Sequence, residues 1–431
     1  MKHLKPFFLF LTLLFLLNLV SCSNKPSRKY NIVLIVIDTL RADHLSFYGY
    51  KKNTAPFLSK IAKDAIVFKH TFSPSSWTAP ATASIFTSLY PFQHGVLMCL
   101  LAIKRAKRLN PNITINKIPQ EITTLPEVLK KNGYKTFGIS DNLNIGELEG
   151  FTQGFDKFKT YGYKKAPFIT KKILEWKKEL LSSKKYFLFI QFMDPHAPYH
   201  KRYPWYKPQK NLKKEMISRY DSEINFVDSF IRKLYLELGW DKNTLLIITS
   251  DHGEGLWDHG HMDHGQSLFL EEINVPLIIK LPEIKKGKKI YTPVSTIDIF
   301  PTIVRLFDFK IRTKLEGVNL IPLINDKKYE KNRYIFSYLW KKIDKVKEFK
   351  AVIFHKYHYI ENNKGDKFLF DMSNDKKEKF NIYSLHPETA LLLRKKFYHF
   401  FRNSRKYQSK KTSVTLDKEK LKILKSLGYV N

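Results

Sequence analysis

Asn31-Ile32-Val33-Leu34-Ile35-Val36-Ile37 is an unbroken apolar run that ends at Asp38. A run of this length, rich in β-branched residues, predicts a strand covered on both faces, as in a sheet with parallel neighbours. Similar runs recur at 134–139, 186–192, 245–249 and 275–279, and amphipathic stretches at 125–132, 173–181 and 220–238 read as helices between them. Buried strands alternating with helices predict an α/β fold, a large mixed sheet sandwiched by helices. From residue 327 the texture changes to short aromatic segments at 334–340, 351–360 and 368–370, with a turn over 362–366. These predict a small C-terminal β-sheet plus helix subdomain over 327–431, beside a main domain over 31–326.

In such sheets ligands gather at the carboxyl ends of the strands. Asp38 follows one apolar run, Asp194 and His196 follow a second, and Asp251 and His252 follow a third. A carboxylate at a strand end often caps a helix instead. Three polar clusters at three such ends are what an active site requires.

The chain has 431 residues with 43% hydrophobic and 14% aromatic side chains, enough to bury a large core and too apolar for a disordered protein. Lys2 and Lys5 precede an apolar stretch over 7–20 that closes in Leu19-Val20-Ser21-Cys22. This reads as a lipoprotein signal peptide over 1–21, with Cys22 lipidated and 22–30 as a tether; the stretch is shorter than the roughly 20 residues of a membrane span. Ser23 lacks the acidic character that retains a lipoprotein at an inner membrane, so the expected location is the bacterial cell envelope, lipid-anchored, on the periplasmic or outer-membrane face. Cys99 is the second of two cysteines, so no internal disulfide is expected, and it reads as a buried thiol. The net charge of +35 favours anionic partners such as phospholipid headgroups, envelope glycans or sulfated glycans, unless it is only a solvated lysine-rich surface. Without a nucleic-acid motif, no nucleic-acid partner is expected.

Trp77-Thr78-Ala79-Pro80-Ala81-Thr82 leads to Thr87, Pro91 and Gly95; Thr249-Ser250-Asp251-His252-Gly253-Glu254 closes a strand; and Asp194-Pro195-His196-Ala197-Pro198-Tyr199 follows another. With Asp38-Thr39-Leu40-Arg41 in front, this ordered set resembles the sulfatase family of the alkaline phosphatase superfamily, over nearly the whole stretch after residue 31. Phe368-Leu369-Phe370-Asp371 and the ending Leu424-Lys425-Ser426-Leu427-Gly428-Tyr429 are similar to the family's C-terminal part.

The resemblance implies an alkaline phosphatase-like fold in which Asp38, Thr78, Asp251 and His252 hold a divalent metal. It places Thr78 as nucleophile, Arg41 as a charge stabiliser beside it, His196 on the ester oxygens, and His264 of His264-Gly265-Gln266-Ser267-Leu268 as the acid at the leaving oxygen. One metal site is implied. His259 and His261 offer a second, against the plainer reading of a solvated polar loop.

The chain departs from the family pattern at three places. Thr78 stands where the family carries the Cys that is oxidised to an aldehyde, Thr82 replaces the bracing Arg, and Thr39 replaces the second Asp of an Asp-Asp pair. With fewer carboxylates and a His ligand, the expected ion shifts toward manganese, magnesium or zinc ahead of calcium. A threonine cannot form the aldehyde, so the chemistry favours attack on a phosphate ester, by hydrolysis or headgroup transfer. The alternative is a sulfuric ester hydrolase acting on sulfated glycans. A retired enzyme that binds anionic ligands is the third reading.

Overall fold

The computed structural model describes residues 30–97, 113–326, 332–342, 346–409 and 411–414. The expected signal segment, Cys22, Cys99 and the closing 424–430 stretch lie outside them.

Among the described residues, nine strands form the main sheet. Its order is Lys288–Ile290, Ile66–Phe72, Asn274–Lys280, Thr244–Thr249, Asn31–Ile37, Tyr186–Phe192, Lys135–Ser140 and Lys157–Thr160, with Val294–Ser295 also paired to Ile66–Phe72. Asn31–Ile37 runs parallel to both of its neighbours. Asn274–Lys280 runs antiparallel to both of its own, which makes the sheet mixed. Side chains alternate along the first strand with a period of two: Ile32, Leu34 and Val36 enter one apolar cluster while Val33, Ile35 and Ile37 enter another. Each face is therefore roofed, and the expected α/β sandwich is present.

Register carries the sheet into the site. Ile37 lies opposite Phe192, and Val36 lies opposite Thr249. Asp38, the segment after Phe192 and the segment after Thr249 therefore emerge together at one edge. The Asp38 amide still donates to the Phe192 carbonyl at 2.9 Å, which fixes its height.

A separate four-stranded antiparallel sheet has the order Ile335–Lys342, Val346–Phe354, Tyr357–Asn362 and Lys367–Asp371. Helix Pro387–Asn403 covers it through Leu393 and Phe397, which pack with Phe336, Val352 and Tyr359. Ser337 and Tyr338 bond back to the main-domain carbonyls of Ser73 and Pro74. The Arg333 guanidinium grips fully buried Asp298 with two bonds of 2.6 and 2.7 Å, clamping this sheet to the main domain.

Several local expectations change. The 173–181 helix is two helices, Lys165–Glu175 and Lys177–Ser182, because Trp176 leaves helical geometry as its ring docks 6.0 Å from Phe137. The 351–360 segment is parts of two strands joined at His355, whose φ of 51° makes the turn without the usual Gly or Asn. Strand Ile66–Phe72 escapes the pattern because Lys69 and His70 interrupt its apolar run. The helix read at 220–238 begins earlier, as Leu212–Glu237, where Asn211 accepts from the Lys214 amide as a cap.

Removing one partner of a buried ion pair leaves an uncompensated charge and costs about 3–5 kcal/mol. Arg333→Ala is expected to lower stability by that order, read as a fall in the urea midpoint. A conservative Arg333→Lys, which loses the two-pronged geometry but keeps the charge, should fall between the variant and the wild type.

Candidate active site

Asp38, Asp251 and His252 are fully buried at the carboxyl ends of adjacent parallel strands. His252 Nε2 lies 3.6 Å from Asp38 Oδ1 and 3.7 Å from Asp251 Oδ2. Its Nδ1 sits 2.8 Å from the Gly253 carbonyl, which can only accept. The ring proton therefore belongs on Nδ1, and Nε2 turns a lone pair toward the two carboxylates. Gly253 is obligatory for this approach, since a Cβ there would lie 2.0 Å from the Glu271 carbonyl oxygen.

Burial, and then the charge of Asp38, push the Asp251 carboxyl well above its ordinary range. Burial, and then the charge of His264, push His252 well below its own. Burial thus drives both groups toward their neutral forms. Thr39 follows Asp38 at φ 58°, a conformation rare for a β-branched residue, and this turn points its amide at Asp251 Oδ1 across 3.3 Å.

Thr78 opens helix Thr78–Thr87 after an extended Trp77, so its side chain stands at the helix N-terminus. Its hydroxyl lies 3.4 Å from Asp38 Oδ2 and 3.3 Å from His252 Nε2. Asn142 completes the ring by donating to Asp38 Oδ2 at 2.8 Å and to Thr78 Oγ1 at 3.3 Å. Gln191 donates to both Asp38 Oδ2 and Asp251 Oδ2, at 3.3 and 3.2 Å.

Asn142 and Gln191 were missed in the sequence, although each left a signal. Asn142 lies two residues beyond strand Lys135–Ser140, at the same edge that the strand-end rule selects. Gln191 is the lone polar residue in the buried strand Tyr186–Phe192.

His264 comes to the same centre, with its ring centroid 4.4 Å from that of His252 and 4.9 Å from that of His196. Its Nδ1 is 3.2 Å from Glu254 and 3.0 Å from Asp263. Burial opposes its protonation, but Asp263 and Glu254 outweigh that and hold the imidazolium well above its ordinary value. His196 is 3% exposed, with Nδ1 2.6 Å from the Ala197 carbonyl. Asp194, at the head of the same loop, instead accepts from the Ala166 amide at 3.2 Å and positions the loop.

Two expectations are corrected by geometry. Arg41 commits its guanidinium to Asp43, Asp258 and the Glu254 carbonyl, so it braces the loop that carries Glu254. His259 and His261 are each claimed by a glutamate instead of lying in a solvated loop, and neither joins a metal-ligand group among the described residues. His259 pairs with Glu271 at 2.5 Å and stacks 3.9 Å from Phe269, while His261 pairs with Glu272 at 2.9 Å. A further convergence of Glu254, Asp263 and His264 is already neutralised by the imidazolium.

The trio Asp38, Asp251 and His252 offers ligand atoms within 4.8 Å of one another. Asp38 Oδ1 is buried with no hydrogen-bond partner. Two hard carboxylates and one imidazole lone pair suit a divalent cation, which would remove the mutual repulsion.

A nine-stranded mixed sheet with a trio that could hold a metal and a hydroxyl at its carboxyl edge is the arrangement of an alkaline phosphatase-like hydrolase. The family model for sulfatases matches residues 30–309, and that for the C-terminal region of N-sulphoglucosamine sulphohydrolase matches residues 257–407. The chain belongs to the sulfatase family. An ulvan-active sulfatase of Formosa agariphila is 25% identical over 73% of this chain and 70% of its own. In structure, a 2-O GAG sulfatase superposes with a TM-score of 0.72 at 18% identity, covering 87% of this chain and 93% of its own. The phosphonate monoester hydrolase of Agrobacterium radiobacter superposes with a TM-score of 0.71 at 17% identity, covering 90% of this chain and 97% of its own.

The His259–Glu271 and His261–Glu272 pairs predict a pH effect on stability. Burial works against the His259 proton, and Glu271 outweighs it; at His261 the Glu272 hydrogen bond leads; both pKa values end above the ordinary histidine value. Their stabilisation is complete below that ordinary value and is lost as pH rises through the raised ones. Melting curves from pH 6 upward should therefore show an alkaline decline in Tm that shrinks in His259→Gln/His261→Gln.

Proposed function

We propose that the protein is a metal-dependent sulfuric ester hydrolase of sulfated glycans, in which Thr78 is the nucleophile and His264 the acid. The observation that carries this is the Thr78 hydroxyl held at 3.3–3.4 Å from Asp38, His252 and Asn142, with the His264 ring against His252. The sulfated-glycan class rests on the family and on its ulvan-active and GAG-directed relatives. The strongly basic chain is suited to such polyanions.

Asp38, Asp251 and His252 are the proposed ligands, with manganese, magnesium or zinc the best match to two oxygens and a nitrogen. An ion held by these residues would lower the pKa of the Thr78 hydroxyl and neutralise charge on the ester oxygens. Asp38 Oδ2 accepts the hydroxyl proton, and Thr78 Oγ1 forms a bond to sulfur as the sulfur–alkoxide bond breaks. The His264 proton passes to the departing oxygen, and the His196 edge faces the ester oxygens. Water, giving a proton to the now neutral His264, then attacks sulfur; the bond to Thr78 Oγ1 breaks, that oxygen takes back the proton held on Asp38, and sulfate is released.

A second reading is supported by Thr78 itself. Its carbinol carbon bears a methyl group, so it cannot yield the family's aldehyde. A simple alkoxide nucleophile is the ordinary device of phosphoryl transfer, which keeps a phosphate ester as the rival substrate. The reading of residues 1–21 as a signal and Cys22 as a lipid anchor places either reaction at the cell envelope. Cys22→Ala should move the protein from the membrane fraction to the soluble fraction, and retention there would remove the anchor from this proposal.

The deciding experiment is turnover of nitrophenyl sulfate, phosphate and phosphate diester by the metal-loaded protein, with Thr78→Ala and His264→Gln alongside. Sulfate turnover that Thr78→Ala reduces at least a thousandfold is expected. His264→Gln should cost about 10²–10⁴ on a sugar sulfate and far less on nitrophenyl esters, whose leaving group needs no proton. Phosphate turnover with no sulfate turnover would transfer the assignment to the second reading. Undiminished turnover in Thr78→Ala would sink the nucleophile.

A further inference from the structure

The hairpin between strands Ile335–Lys342 and Val346–Phe354 sets Lys341 directly opposite Lys347. Like charges at facing positions of an antiparallel pair destabilise it. Glu348, the acid next to them, is committed to Lys350 at 3.0 Å and to the Tyr338 hydroxyl at 2.8 Å. The pair therefore carries two positive charges that its own sheet does not neutralise.

Both lysines reach into the main domain beside the catalytic segments. The Lys341 ammonium stands 5.4 Å from the Trp77 ring centroid, one residue before Thr78. It also lies 3.2 Å from where a Cβ on Gly265 would be, one residue after His264. Lys347 donates to the Gln266 side-chain oxygen at 2.5 Å. Gly265 is pinned to the same place, its amide donating to the Ser76 carbonyl at 2.8 Å. The hairpin, the Trp77 segment and the His264 segment thus meet at one point.

Two observations there lack a protein explanation. The Trp77 side chain is only 5% exposed, yet its indole N–H has no hydrogen-bond acceptor among the described residues. A buried donor left unpaired costs free energy. Burial, and then the Lys341 charge, hold the Lys347 ammonium below its ordinary value, which an anion between them would reverse. The nearby acids are already engaged, Glu272 with His261 and Ser267, and Asp263 with His264.

We propose that Lys341 and Lys347, beside the Trp77 ring, form a second oxyanion subsite next to the scissile position, which takes a further sulfate or carboxylate on the saccharide being hydrolysed. The proposal rests on the glycan-ester reading above and deepens it: the preferred substrate bears at least two anionic groups. Lys341 and Lys347 are specificity residues and take no part in bond breaking.

The test is calorimetric binding of three disaccharides of one backbone: monosulfated, disulfated, and monosulfated with a uronate carboxylate. Turnover of nitrophenyl sulfate and nitrophenyl phosphate is measured in parallel, because neither reaches the subsite. Lys341→Gln/Lys347→Gln should weaken a dianionic disaccharide about tenfold or more, while the monosulfated one and both nitrophenyl rates change less than twofold. Lys341→Arg/Lys347→Arg should retain the preference with an unchanged Tm. Which dianion the wild type binds more tightly tells a sulfate subsite from a carboxylate one. Equal weakening of all three ligands, no weakening, or a wild type that does not distinguish one anion from two would overturn the subsite. If neither nitrophenyl ester turns over, the reaction proposed above fails while the binding comparison still decides the subsite.

Discussion

Two carboxylates and an imidazole lone pair are packed together, fully buried, at the end of a parallel sheet, and much of the centre follows from that crowding. Asp38 and Asp251 are fully buried on neighbouring strands, and His252 Nε2 faces both. Such a grouping is costly alone and becomes favourable only with a cation between its members. Asn142 and Gln191 donate into it from adjacent strands, and the His264 imidazolium closes over it, held by Glu254 and Asp263. The hydroxyl of Thr78 lies where this trio, a helix N-terminus and the His264 imidazolium come together.

The sheet makes that grouping affordable. Covered on both faces, the central strands have no freedom to relax their ends apart, and the register of Ile37 with Phe192 and of Val36 with Thr249 fixes the three polar segments relative to one another. The C-terminal sheet, clamped by Arg333 on Asp298, is more than an appendage, since its hairpin delivers Lys341 and Lys347 to the rim beside Trp77 and Gly265. The centre thus sits on a rigid floor beside a rim built from a second unit.

Much of this was legible in the sequence because unbroken apolar runs ending in Asp leave little choice of fold. Asp38, Thr78, Asp251, His252, His196 and His264 come together as their motifs implied. What was not legible depends on side-chain reach across the fold. Arg41 sits in the expected segment, yet its partners Asp43 and Asp258 leave it bracing the loop. His259 and His261 have metal-like spacing, but the glutamates that claim them lie twelve and eleven residues further on. The preference for phosphate weighed the reactivity of threonine above the family; its matched relatives favour the sulfate reading.

The central claim is that the buried Asp38–Asp251–His252 trio is a cation site, and it is tested most directly by thermal melting with metal analysis, without reference to activity. In the metal-free state Asp251→Asn should melt above the wild type, because it removes a buried like-charge repulsion. With manganese, magnesium or zinc the wild type should bind one equivalent and rise in Tm, while Asp251→Asn binds little and does not shift, so that the order of the two proteins reverses. A wild type that binds no divalent ion and is more stable than Asp251→Asn under both conditions would contradict the account.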